Sequence, residues 1–212
     1  MGLEHYRRTI SESKRVSILK AGRENFLRNG YSRAAVAEIA READVSTATL
    51  YKHFSSKEEL FAAVIREAYG DLGGEFNHAT EADTFKVDAS TDLRKMFHGM
   101  VHQYLTAQFD HGANALLRIV IAEVPTTPKI ALDTYEFIIM RRAAGLKKVF
   151  DELIVQKRMK PHDTEMGVNF IAGMIKEVFI WPALFDAKVG LPANADDVIY
   201  EAIDMYLARY GV

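Results

Sequence analysis

Residues 33–58, RAAVAEIAREADVSTATLYKHFSSKE, constrain this chain more than any other stretch. Two short apolar-periodic patterns are joined by a four-residue turn, Glu42-Ala43-Asp44-Val45. The second pattern ends in a polar and aromatic cluster. Val36, Ile39, Ala40 and Ala43 recur at helical spacing and should face inward, while Ser46 is a good N-cap for the next helix. Val45, Leu50 and Phe54 should pack that helix against its neighbours. A helix of this kind, entered through a tight turn and carrying small hydroxyls followed by cations, suits a DNA major groove. Thr47 and Thr49, beside the capping Ser46, stand near its N-terminal end, where side chains reach base edges. Tyr51, Lys52 and His53 stand at its far end, where phenol, ammonium and imidazole suit phosphate oxygens.

Helical periodicity also governs the flanks. A first helix is expected over about 12–29, with Val16, Leu19 and Phe26 beside Ile18 and Leu27, and a stop at Asn29-Gly30. Ser56 and Glu59 form a capping box that opens a fourth helix with the stripe Leu60, Phe61, Val64, Ile65, Ala68 and Leu72. Lys57 falls in its first turn. That helix fades near Gly73-Gly74 or runs on to about His78, and 79–90 reads as a connection.

Five further helices are expected: about 91–109, 113–123, 128–159, 163–185 with a kink at Pro182, and 194–209 capped by Asn194. The fold class is all-α, about nine helices in two domains: 12–66 for the helix-turn-helix and 67–212 for a larger helical body.

Composition narrows the function. The 212 residues contain no cysteine, which excludes disulfides and thiol chemistry, and neither a signal-peptide core nor 18 uninterrupted apolar residues. A soluble, cytoplasmic protein without a membrane partner is expected. The formal net charge of −2 hides an asymmetry: residues 1–66 carry 12 Lys+Arg against 8 Asp+Glu, and 67–212 carry 15 against 21. Only the N-terminal third should seek phosphates.

The run AxxEIAREADVSTATLYKHFSSKEELF, preceded by ILKAGRENFLRNGY, resembles TetR-family transcriptional regulators over about residues 13–66. The resemblance implies that Thr47 and Thr49 read bases and that Tyr51, His53 and Lys57 bind phosphates. It also implies that Ser32 or Arg33 touches the DNA backbone. The family usually has glycine where Asp44 stands, at a turn position that tends toward left-handed geometry, which Asp tolerates better than most residues. Arg7 and Arg8 form either a minor-groove arm or a solvated terminus.

The resemblance further implies a C-terminal body that binds a small effector and pairs two copies on a near-palindromic operator. This tail, with LLRIVIAEVP, is similar to the AefR-like branch. Met96, Met100, Tyr104, Phe137, Met140, Phe170, Met174 and Trp181 are candidate walls for a hydrophobic or aromatic ligand, with Arg118, Glu123 and Glu177 to orient it. The plainer alternatives are core packing for the former and surface ion pairs for the latter, as also for His102. His98 and His102 share a helix face, but two ligands do not make a metal site, and no metal or cofactor is expected.

Residues 163–181 are more apolar than a surface helix. Gly167, Ala172 and Gly173 would allow close approach, and Phe170, Ile171 and Met174 would supply area to a twofold mate. A core helix within one subunit competes with that reading. Two other function classes, a helical enzyme using Glu123 with His98 or His102, and a nonspecific architectural DNA binder, lack a nucleophile or cofactor motif and an overall basic charge respectively.

Overall fold

The computed structural model describes residues 3–70 and 87–212. The expected end of the fourth helix, with Leu72, and most of the 79–90 connection lie outside the described residues. The side chains of Arg7 and Arg8 do as well. Nine helical runs are described: α1 (Leu3–Arg33), α2 (Val36–Glu42), α3 (Thr47–His53), α4 (Lys57–Gly70), α5 (Leu93–Phe109), α6 (Ala113–Ala122), α7 (128–155), α8 (Thr164–Phe185) and α9 (Ala195–Tyr210). Among the described residues no strand forms, and Met159 and Gly211 make a single isolated antiparallel bridge. The all-α expectation holds.

The chain divides into two compact units that do not follow a single cut in the sequence: Met1–Ala68 with Ala115–Thr134, and Tyr69–Asn114 with Tyr135–Val212. The helix-turn-helix unit thus includes a segment that lies far along the chain, beyond the linear boundary at residue 66.

In the first unit, Ile18, Phe26, Ile39, Leu50, Phe54, Leu60, Phe61, Val64 and Ile65 form the core, each at most 2% exposed. Val16 and Leu27, expected beside them, are instead 60% and 41% exposed: α1 buries one stripe, and these two side chains fall off it. Phe26, Tyr31 and Phe61 meet as an aromatic trio, with centroids 4.9 to 6.0 Å apart. Gly30 breaks α1 at φ 74° and ψ 172°, a conformation open to glycine and strained for any other residue, so the Asn29-Gly30 stop acts as expected. Ser46 accepts a hydrogen bond from Thr49 N–H, and Ser56 accepts one from Glu59 N–H. The Glu59 carboxylate reaches back to the N–H and hydroxyl of Ser55 rather than to Ser56, a capping box displaced by one residue.

In the second unit, α5 packs on α9, and α8 packs on both α9 and the later part of α7. Asp92 caps α5 and Asp163 caps α8, whereas Asn194 makes no side-chain cap to α9. Phe97, Leu105, Val149, Phe150, Leu153, Ile171, Ile175, Phe179, Ile203 and Tyr206 form its core. The kink expected at Pro182 is resolved one turn earlier, where Lys176–Ile180 widen into a π-helical turn. Proline offers no N–H and its ring crowds the carbonyl four residues back, and the extra residue in the turn makes room for it. A second π-helical turn, Glu136–Met140, interrupts α7.

By length and composition α8 could cross a membrane, with a mean hydropathy of 1.4 over its most apolar window. One side of it nevertheless lies in the core just described. Its other side leaves Met166, Phe170, Val178, Trp181 and Phe185 exposed, the last at 86%.

Candidate nucleic-acid interface

Within the first unit, α1, α2 and α3 pack on one another. The turn between α2 and α3 places Asp44 at φ 54°, the left-handed geometry expected for this position. Ala43 and Asp44 backbone N–H groups are bonded to carbonyls of the last turn of α2, as is that of Val45, so the turn needs no side chain to hold it. Helix α3 buries Leu50 completely and seats Phe54 at its end. Thr47, Tyr51 and Lys52 point to solvent, and Thr49 and His53 are half-buried beside them. Ser46 and Thr49 share a hydroxyl–hydroxyl hydrogen bond of 2.8 Å, so part of their capacity is spent on the cap.

The Arg15 guanidinium lies 4.5 Å from the centroid of the Phe54 ring, a cation–π contact that fixes a positive charge at the C-terminal end of α3. Partial burial lowers the His53 pKa, and the neighbouring charges of Arg15, Lys52 and Lys14 lower it further. His53 is therefore a neutral hydrogen-bonding group at pH 7. Lys14 and Arg15 were missed in the sequence, where a lone Lys-Arg pair within a helix has no pattern to mark it; the pair gains meaning only from its position beside α3.

Lys57 donates to the Ser32 carbonyl at 3.1 Å and stands 4.6 Å from the Tyr31 ring centroid, while Tyr31 donates to Glu58 at 2.9 Å. Burial lowers the Lys57 pKa, against the raising effect of Glu123 and Glu58. Arg33 is exposed, with its Nε donating to Asn29 O. Arg28 and Asn25 both reach Glu42, tying α1 to the end of α2.

Ser32 has another partner. Its N–H and its hydroxyl both donate to the Glu123 carboxylate, at 3.1 and 2.7 Å. Glu123 and Arg118 were expected to orient a ligand in the body. Both lie in the 115–134 segment of the helix-turn-helix unit, and both Glu123 oxygens accept hydrogen bonds there.

The other candidate ligand residues differ in exposure. Met96, Met100, Tyr104 and Met174 are partly buried against the second unit's core, and Phe137 is half-buried. Met140, Phe170, Glu177 and Trp181 are exposed. Of the residues expected at a twofold interface, Gly167 and Ile171 are buried in the chain's own core, where Gly167 is closed in by Tyr206 and His162. Phe170 stays on the open face and Met174 is half-buried. His98 pairs with Asp196 at 2.9 Å and stacks on Tyr200, and among the described residues no group of three metal-ligating side chains occurs.

Comparison with known proteins agrees with this arrangement. Residues 18–64 match the family model "Bacterial regulatory proteins, tetR family", and residues 95–212 match "AefR-like transcriptional repressor, C-terminal domain". The HTH-type transcriptional activator FasR of Mycolicibacterium smegmatis is 26% identical over 171 residues, 80% of this chain and 73% of that protein. A TetR-family regulator from Mesorhizobium loti superimposes with a TM-score of 0.76 at 23% identity, over 95% of this chain and 98% of the other. The flavonoid-responsive regulator FrrA gives 0.71 at 24%, over 93% and 97%. With one model covering the reading head and the other more than half of the chain, this protein belongs to the TetR family of DNA-binding transcriptional regulators, and its C-terminal part is an AefR-like repressor domain.

Proposed function

We propose that this protein is a cytoplasmic homodimeric repressor that grips a near-palindromic operator through two α3 helices and lets go when a small hydrophobic or aromatic effector binds its body. The observation that carries the reading is the solvent-facing set Thr47, Tyr51 and Lys52 on a helix whose other side is locked into the core by Leu50. Thr47 and Thr49 face bases; Tyr51, Lys52, His53 and Lys57 meet phosphates, with Arg33 beside them and Lys14 and Arg15 adding positive field. Ser46 serves chiefly as the cap.

Pairing of two copies is supported by the open side of α8, where Phe170, Val178, Trp181 and Phe185 leave a row of large apolar groups in water. A twofold pair places the reading helices one DNA turn apart, about 34–36 Å. The effector chamber is proposed among Met96, Met100, Tyr104, Phe137 and Met174, adaptable side chains on and around the second unit's core. The name of FrrA supports a flavonoid class of effector, while FasR is named an activator.

An effector releases DNA only if it binds the released state more tightly than the gripping state. Fluorescence anisotropy with a duplex selected by the protein from a random pool, titrated with a panel of flavonoids, acyl chains and hydrophobic drugs, tests this. At least one compound should raise the apparent Kd by about tenfold. A panel without effect would remove the effector-gating part of the proposal.

A further inference from the structure

Glu123 is a nearly buried carboxylate, 7% exposed, at the end of α6. Four groups donate to it: the Ser32 N–H, the Ser32 hydroxyl, Thr126 Oγ1 at 2.7 Å and Thr127 Oγ1 at 3.4 Å. Burial alone would raise its pKa, but these hydrogen bonds hold it below the usual carboxylate range, so it is an anion at neutral pH. A charge built into a protein at this density of donors is costly to remove and rigid in place.

Its position in the chain gives that rigidity a direction. Ser32 and Glu123 are 91 residues apart, and both lie within the first compact unit. Ser32 sits in the short link between the Gly30 break and α2, and its carbonyl is the acceptor that holds Lys57. A continuous relay results, in which Glu123 fixes Ser32, Ser32 fixes Lys57, and Lys57 rests on the Tyr31 ring. Both Ser32 donors are committed to Glu123, whereas the Lys57 ammonium gives one of its three N–H groups to the Ser32 carbonyl and keeps others to offer a phosphate.

We propose that Glu123 is a positioning residue for DNA binding, which by anchoring Ser32 presets the Lys57 ammonium for a backbone phosphate and makes the 115–134 segment a working part of the reading head. Ser32 is then the docking point of that segment rather than a DNA contact. The inference rests on the DNA-binding reading but not on effector gating or on dimer geometry.

The test compares Glu123→Gln, Lys57→Ala and the double variant on a duplex selected by the wild-type protein from a random pool, by anisotropy across a salt series. Glu123→Gln should weaken binding about tenfold, the share of one charge-assisted hydrogen bond, and flatten the salt dependence by about one phosphate contact. Lys57→Ala should do the same, and the double variant should be no worse than Lys57→Ala alone. Unchanged affinity and slope in Glu123→Gln, or losses that add in the double variant, would overturn the proposal. Should Glu123→Gln fail to fold, Ser32→Ala paired with Lys57→Ala carries the same comparison. Failure of the wild-type protein to select any duplex would count against DNA reading itself, a result distinct from these.

Discussion

The reading head and the C-terminal body each leave an unfinished surface, but of opposite kinds. On the head, two-turn helices expose hydroxyls, a phenol and cations around a compact aromatic core. On the body, a 22-residue helix exposes large apolar side chains on the flank away from its core. The first surface is stable in water and gains only from an anion of the right shape; the second is costly in water until something apolar covers it. Under the proposed function the chain carries one interface to be left and one to stay closed, and substitutions on the two should fail in different ways.

The largest effect should come from charging the apolar flank. Phe170→Glu with Trp181→Glu should leave the helical content of the chain intact, convert dimers to monomers by analytical ultracentrifugation, and weaken binding to a selected palindromic duplex by about 100-fold through lost bivalency. A monomeric double variant with full affinity would break the comparison, since the flank would then contribute nothing to grip. Next, Thr47→Ala should cost about 1–3 kcal/mol on the selected duplex and relax preference at one base position in a repeated selection. Lys52→Ala should weaken all duplexes alike and reduce the salt slope by about one.

A smaller effect follows from His53. Its pKa in the free protein is lowered, and a bound phosphate favours the imidazolium, so binding takes up a proton and affinity should rise as pH falls from 7 through and below the ordinary histidine range. His53→Gln should flatten that rise; an unaltered pH profile would place His53 away from phosphate. The smallest change is expected at Asp44, at φ 54° in the turn. Asp44→Gly should relieve about 1 kcal/mol of left-handed strain while giving back a similar amount of chain entropy, so stability barely moves. Removal of the negative charge should raise affinity for random duplex about threefold.

Much of the head was legible because its signals are local. Ser46, Leu50, Phe54 and Ser56 declare caps and core within one turn of where they act, and Asn29-Gly30 declares its stop in two letters. What was not legible depends on long-range pairing. Glu123 in isolation looks like a ligand-orienting acid, and nothing local in the sequence announces its hydrogen bonds to Ser32, 91 residues away. Gly167 has the spacing of an interface glycine but is closed in by Tyr206 and His162 of its own chain, for which α8 carries no advance mark. In a helix apolar on more than one side, sequence cannot say which side meets the core, and so it could not separate Ile171 from Phe170. Val16 and Leu27 were misassigned for the same reason.

The length of α3 has a consequence for addressing. Its seven residues, at about 1.5 Å each, cover roughly three base-pair steps. A word of three letters recurs about once in every 64 positions, whereas a chromosome offers on the order of a million or more rival sites. One head cannot name a place in a genome, however well Thr47 and Thr49 fit their bases. A second word at a fixed distance lengthens the recurrence to about one in 4,096, and the shape of the DNA between the two has to supply the rest of the address.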